Sequence, residues 1–281
     1  MNRKKAIVTG GSSGIGRGVV YCLAEAGYDV VFSARTHEDA AKRVLDTLNE
    51  KHPDGHFAYF NAQLTDEGAG KKFFRQAVEF LGGLDLLVNN AGYTKLCSIF
   101  DMTEELLDDM IRLMYRNYLI LAREAATYMA SKGTKGSIVN VSSARSISAH
   151  PNDLIYGSIK AALNRATQSI ALDVAPFGIR INNILPGAVK RFTPEEEALA
   201  DPAHLEKIAY LSKRIPLERY GTPEDVGNLV VFLASEKASY ITGVSICVDG
   251  GLTLPGLAET AAESNACGWG RVDRAVEWNE D

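Results

Sequence analysis

Short apolar runs alternate with longer amphipathic ones along most of this chain, and that alternation narrows the possible folds more than any other feature. Residues 6–9, 30–34, 57–62, 84–89, 137–142, 179–185 and 244–248 are short and almost continuously apolar, the pattern of strands buried on both faces of a parallel sheet. Between them, 15–26, 38–51, 67–80, 103–130, 154–174 and 223–234 carry apolar positions at helical spacing. Thr222-Pro-Glu-Asp225 is a helix start, with a capping threonine, proline in the first turn and an acid three residues on. Val226, Leu229, Val230 and Leu233 then mark that helix's buried stripe. The alternation predicts one doubly wound α/β domain, with seven strands in a mostly parallel sheet and helices on both faces.

The domain is expected to span residues 1–256, with 257–281 as a C-terminal tail. Within it, 186–216 replaces a short connection with a long one. That segment carries Glu195-Glu196-Glu197 and an amphipathic piece at 205–211, and predicts a small helical lid over 188–215. The tail holds Trp269 and Trp278 but neither a strand nor a strong helix pattern.

A net charge of −5, with no Lys/Arg cluster interleaved with aromatics, argues against nucleic acid as a partner. Cys22, Cys97, Cys247 and Cys267 lack metal-ligand spacing and the five histidines do not gather around them, so no metal is expected. Their apolar contexts predict buried thiols in a reducing compartment. The N-terminus runs into the first strand without a secretory h-region, and no apolar run approaches the roughly 18 residues of a membrane span. A soluble cytoplasmic protein without a membrane partner is the expectation.

The first strand runs into Thr9-Gly10-Gly11-Ser12-Ser13-Gly14-Ile15-Gly16, where a helix begins. Small residues there let the backbone approach a pyrophosphate, whose charge a helix N-terminus favours. The strict G-x-G-x-x-G spacing is absent, yet the position between first strand and first helix marks a dinucleotide site. Gly10, Ser12, Ser13, Gly14, Ile15 and Gly16 are its candidates. A carboxylate at the end of the second strand would bind a ribose 2′-hydroxyl; this chain has Ala34 followed by Arg35. With a guanidinium available to a 2′-phosphate, NADP(H) is favoured and NAD(H) is possible, with Ser33, Thr36 and Arg17 assisting Arg35.

Further along, Tyr156 and Lys160 stand four residues apart, with Ser143 thirteen residues before the tyrosine. If Asn152 or Asp153 caps a helix, the pair lies one turn apart on one face. An ammonium there favours phenolate and lowers the phenol's pKa, making a proton donor and acceptor usable near neutrality.

In order, Thr9–Gly16, Asn89-Asn-Ala-Gly92, Ser143 with Tyr156-Gly-Ser-Ile-Lys160, and Pro186-Gly187 resemble the motif set of the short-chain dehydrogenase/reductase family, with its Rossmann fold. The resemblance runs from about Lys4 to Gly251. It implies a catalytic set of Asn117, Ser143, Tyr156 and Lys160. Tyr156 passes the proton, Ser143 steadies the substrate oxygen, Lys160 lowers the tyrosine pKa and bonds the nicotinamide ribose, and Asn117 holds a water that relays protons to Lys160. It also implies that Gln63 and Leu64 lie beside adenine, that Asn89, Asn90, Ala91 and Gly92 line the cofactor cleft, and that Pro186, Gly187 and Val189 border the nicotinamide. Gln63 replaces the acid often found beside adenine, and Arg191 replaces a threonine often found near the nicotinamide, which leaves the path of 188–193 open.

Thr94, Leu96, Ala144, Arg145, Ser146, His150, Ala188 and parts of 192–211 are candidates for the substrate wall. Their polarity favours a small sugar, polyol, or keto or hydroxy compound over a steroid or long acyl chain. Reduction of a 3-oxoacyl group on an acyl carrier protein, or of a steroid-type ketone, is the enzymatic alternative. A non-catalytic NADP(H)-binding regulator is the alternative from another class. The family resemblance further implies a homotetramer or homodimer built on 103–130, 154–174 and 244–248.

Overall fold

A computed structural model of the chain describes residues 3–35, 38–190 and 202–254. Seven strands form one sheet: β1 Lys4–Val8, β2 Tyr28–Ala34, β3 Phe57–Asn61, β4 Leu86–Asn89, β5 Ser137–Val141, β6 Arg180–Pro186 and β7 Ser245–Val248. Their order is β3-β2-β1-β4-β5-β6-β7, and every pairing is parallel. The expected "mostly parallel" sheet is therefore wholly parallel among the described residues. The long apolar runs are explained by burial from both sides. Ala6 and Val8 join the core on one face while Ile7 joins the other, and Val30 and Phe32 oppose Val31 in the same way.

The helices are α1 Gly14–Glu25, α2 Glu38–Lys51, α3 Ala69–Leu81, α4 Glu104–Ile111, α5 Asn117–Lys132, α6 Leu154–Val174, α7 Pro202–Ser212 and α8 Pro223–Ala234. α8 starts as its sequence predicts: Thr222 and Asp225 form a reciprocal capping box, with proline in the first turn. It lies so close to α1 that a Cβ on Gly18 would sit 2.7 Å from the carbonyl carbon of Pro223.

The single helix expected over 103–130 is instead α4 and α5 joined by a π-helical turn, Arg112–Arg116. Periodicity cannot register one extra residue inside a helix, and this one sits directly before Asn117. The amphipathic piece at 205–211 is indeed helical, within α7. The insertion's stem is pinned where Val189 pairs with Gly221; the Lys190 amide donates to the Gly221 carbonyl at 2.9 Å, and the Gly221 amide to Ala188 at 2.9 Å. Arg191, residues 192–201 with Glu195–Glu197, and the tail from Pro255 lie outside the described residues.

Among the described cysteines the expectation holds for Cys22, which is buried; Cys267 lies outside the described residues. Cys97 is half-buried and Cys247 exposed, because β7 is an edge strand whose alternate side chains face outward. All three are free thiols.

The sheet's strand order reverses direction between β1 and β4. A crevice at the carboxyl ends of those strands is the site this architecture offers to a ligand.

Candidate active site

At the end of β1 the backbone turns through Gly10, with φ +69°, and enters α1 at Gly14, with φ +52°. Both values lie where a side chain is disfavoured. The turn is held from three directions. The Gly10 amide donates to Ser33 Oγ at 2.9 Å. Thr9 Oγ1 accepts from the amides of Asn90 and Ala91 at 2.8 and 3.0 Å. The Asn90 side-chain amide donates to the carbonyls of Thr9 and Gly10 at 2.9 and 3.1 Å. A Cβ on Gly16 would strike the Gly10 carbonyl oxygen and the Asn90 amide. Ser13 is the extended N-cap of α1, and its side chain makes no capping bond. The first amides of a twelve-residue helix, set behind residues with little or no side chain, fit a pyrophosphate. Ser12 is buried, Ser13 exposed and Ile15 half-buried around that turn.

Two expected nucleotide contacts change character. Ser33 is buried, with its hydroxyl occupied by the Gly10 amide, so it braces the turn from beneath instead of reaching a 2′-phosphate. Asn89 is fully buried, donating to Asn140 Oδ1 at 2.9 Å and to the Tyr118 carbonyl at 3.2 Å. It is part of the sheet's interior; Asn90, Ala91 and Gly92 form the rim. Arg35 is exposed at the end of β2 and acts electrostatically on Tyr93, across the crevice in the loop after β4. Thr36 lies outside the described residues. Gln63 is exposed and donates to Thr65 Oγ1 at 2.8 Å, while Leu64 is buried. Pro186 ends β6 against β7, and Gly187 passes so close to Asp249 that a Cβ would lie 2.8 Å from its Cα. Val189 sits in the lid stem.

The second cluster gathers at the carboxyl end of β5. Asn152, at φ +59°, turns the chain into α6, and Asp153 is the N-cap. Tyr156 and Lys160 then lie one turn apart, as their spacing predicts. Lys160 is buried, and its Nζ donates to the Val141 carbonyl at 2.8 Å. It lies 4.8 Å from the centre of the Tyr118 ring and 5.6 Å from that of Tyr156. Burial alone pulls its pKa down to about 7, since an ammonium in an apolar surround loses its hydration. The two ring faces return part of that loss.

The Tyr156 pKa departs from expectation. Burial pushes it up and outweighs the hydroxyls of Ser143 and Thr94 and the Arg145 charge, all of which pull it down; Asp153 pushes it further up. The lysine expected to lower it is itself close to half-protonated at neutrality, so its field is weaker than that of a permanent cation. Ser143 is buried, and its Oγ accepts from the Arg145 amide at 3.2 Å. Asn117, buried at the start of α5, donates its side-chain amide to the Leu64 carbonyl. One bond thus ties the loop after β3 to the start of α5, beside Tyr118.

Tyr118 escaped the sequence reading. It is buried, covers Lys160 with its ring and donates its hydroxyl to the Ala91 carbonyl at 3.0 Å, linking the two halves of the crevice. Its position beside Asn117 carried no motif signal. Among the substrate-wall candidates, Thr94 and Leu96 are exposed beside the crevice. His150 is exposed and turned to the carbonyl of Pro151 at 2.8 Å. Arg145 and Ser146 line a cavity of about 680 Å³ beside the start of α6. Among the described residues, no helix is long and apolar enough to cross a membrane, and no three His, Cys, Asp or Glu side chains gather as a metal site.

Known proteins resemble this chain over most of its length. A family model described as enoyl-(acyl carrier protein) reductase matches residues 10–253. L-rhamnose 1-dehydrogenase (NAD(P)(+)) of Azotobacter vinelandii is 36% identical over 250 residues, covering 89% of this chain and 96% of that protein. A 3-oxoacyl-(acyl-carrier-protein) reductase of Staphylococcus aureus is 34% identical over 251 residues, with 89% and 98% covered. Among solved structures, a short-chain dehydrogenase/reductase from Serratia marcescens superposes with a TM-score of 0.80 at 32% identity, covering 89% of this chain and 98% of that one.

Proposed function

The chain belongs to the short-chain dehydrogenase/reductase family, and on that premise we propose that it oxidises or reduces a small sugar, polyol, or keto or hydroxy compound with NADP(H). The observation that carries the reading is the cluster of Ser143, Tyr156 and Lys160 at the carboxyl end of β5, one strand from the glycine turn and its neighbouring rim. When bound, the nicotinamide supplies or accepts the hydride. Everything else falls to the protein. Tyr156, one turn from Lys160, passes a proton to a carbonyl oxygen or takes one from an alcohol. The Ser143 hydroxyl donates to the same oxygen and steadies its developing charge. Lys160 holds a proton behind the phenol, and its pKa of about 7 lets it release and regain one near neutrality. Asn117, the residue before Tyr118, would hold a water that refills that proton. The glycine turn and the α1 amides position the cofactor.

NADP(H) preference is supported by Arg35 standing exposed where a ribose-binding carboxylate would repel a phosphate. Arg35→Ala is expected to lower kcat/KM for NADP+ about tenfold or more, the loss of a charge-assisted hydrogen bond, while that for NAD+ changes little. A preference for NAD+ in the unmodified protein would refute the assignment. The sugar or polyol reading is supported by the polar wall at Thr94, Arg145 and Ser146 and by the resemblance to a rhamnose dehydrogenase. Resemblance to a 3-oxoacyl reductase supports the second reading, in which an acyl carrier protein delivers the substrate. Following cofactor absorbance over aldoses, polyols, simple ketones and 3-oxoacyl thioesters separates them. Turnover of aldoses or polyols is expected; activity on thioesters alone would transfer the assignment. A homodimer or homotetramer in the cytoplasm completes the reading, supported by exposed apolar side chains on α6 and near β7 and by free thiols.

A further inference from the structure

Asp153 is an N-cap residue that caps nothing. An aspartate at this position ordinarily accepts an amide of the first helical turn, but here its carboxylate makes no such bond. The side chain is only 2% exposed, and neither Oδ1 nor Oδ2 has a hydrogen-bond partner among the described residues. Its ion-pair partner is Arg145 Nη1 at 3.5 Å, which also lacks a hydrogen bond among those residues. That separation is an ion pair but not a good hydrogen bond. A buried carboxylate that a half-buried guanidinium attracts without satisfying its acceptors is costly to keep. The arrangement is that of a site completed by something else.

Its location says what that something is near. Asp153, the N-cap of α6, precedes Tyr156 by three residues, so Tyr156 lies in the first turn that Asp153 opens. The Arg145 amide is held by Ser143 Oγ at 3.2 Å. Both charges act on the Tyr156 phenol, and both residues are among those lining the 680 Å³ cavity, with Ile99, Phe100 and Ile147 supplying apolar wall. We infer that the Arg145–Asp153 pair is a specificity subsite that holds a second hydroxyl of a polyhydroxylated substrate while the reacting carbon lies at Tyr156 and Ser143. A hydroxyl donates to the carboxylate and accepts from the guanidinium at once, which supplies what each lacks. A thioester carbonyl has no donor for Asp153 and leaves the carboxylate unmet. The exposed apolar wall suits the carbon face of a sugar ring.

This subsite rests on the sugar or polyol reading, and the test separates the two. Asp153→Asn and Arg145→Gln are compared with the unmodified protein on L-rhamnose, D-glucose and xylitol, and on cyclohexanol as a single-hydroxyl reference. KM for the best polyhydroxylated substrate is expected to rise about tenfold or more in each variant, because a site built for a hydroxyl is left unpaired, while kcat/KM for cyclohexanol falls less. A KM within about twofold of the original, or a parallel fall on both substrate kinds, overturns the subsite and leaves the sugar reading intact. An unmodified protein that turns over none of the polyhydroxylated compounds overturns both. Should Asp153→Asn fail to fold, Arg145→Gln, on the more exposed side of the pair, gives the same comparison.

Discussion

Tyr156 and Lys160 show how burial sets the chemistry of single residues. The phenol is pushed up and the ammonium pulled down by the same apolar surround, so a proton between them is poised nearer neutrality on the lysine than on the tyrosine. Tyr156→Phe is expected to lower kcat by on the order of 10²–10⁴, the range for a lost general acid or base, with cofactor affinity nearly unchanged in a fluorescence titration. Lys160 also leaves a signature in stability. Its folded pKa of about 7 lies below the unfolded value of 10.5, so between those values the unfolded chain binds more protons and stability rises with pH. Below about pH 7 the buried ammonium exerts its whole penalty. Lys160→Met, which removes the charge, is therefore expected to raise Tm most at pH 6 and progressively less towards pH 10. A gain independent of pH would contradict the assignment.

Elements position these residues through one close approach and one irregularity. α1 carries the glycine turn and is held against α8 with no room for a side chain at Gly18, where a Cβ would meet the Pro223 carbonyl carbon at 2.7 Å and its Cα at 3.0 Å. Backbone cannot yield as a flexible side chain does. Gly18→Ala is expected to destabilise by about 1–3 kcal/mol through overpacking, and to raise KM for the cofactor because the α1 N-terminus moves with the helix. Thermal melts and steady-state kinetics measure the two effects; an unchanged Tm with unchanged KM would show that α8 gives way. The irregularity is the π turn at Arg112–Arg116, which resets the helical phase just ahead of Asn117 and Tyr118. That phase lets Asn117 reach the Leu64 carbonyl and Tyr118 cover Lys160.

For the whole molecule, exposed apolar side chains lie on α6 and around β7 as well as on the wall of the Arg145–Asp153 cavity. Leu172 on α6 is 77% exposed, and Tyr240, Val244 and Leu254 are exposed around β7. Leu172 and Val244 fall on two of the three segments expected to build an oligomer, and Tyr240 and Leu254 flank one of them. Light scattering is expected to give two or four times the chain mass, and Leu172→Glu to reduce it by burying a charge in an apolar contact. A monomeric unmodified protein would refute that arrangement.

Much of this protein was written locally, in patterns that depend only on neighbours in the chain. Continuous apolar runs can be satisfied only by a sheet covered on both faces, and the glycine turn, the Thr222 capping box and the four-residue step from Tyr156 to Lys160 are set by backbone geometry within a few residues. Those features were legible, and the structure places them as expected. What escaped depends on which distant segments meet. Ser33 braces the turn because β2 lies beside β1. Tyr118 covers Lys160 because a π turn rotates α5, and Asp153 faces Arg145 because a short turn after β5 folds back on the start of α6. The sign of the Tyr156 shift belongs to the same class. Spacing alone puts an ammonium near a phenol, but only tertiary burial decides that desolvation of the phenol outweighs the hydroxyls of Ser143 and Thr94 and the Arg145 charge.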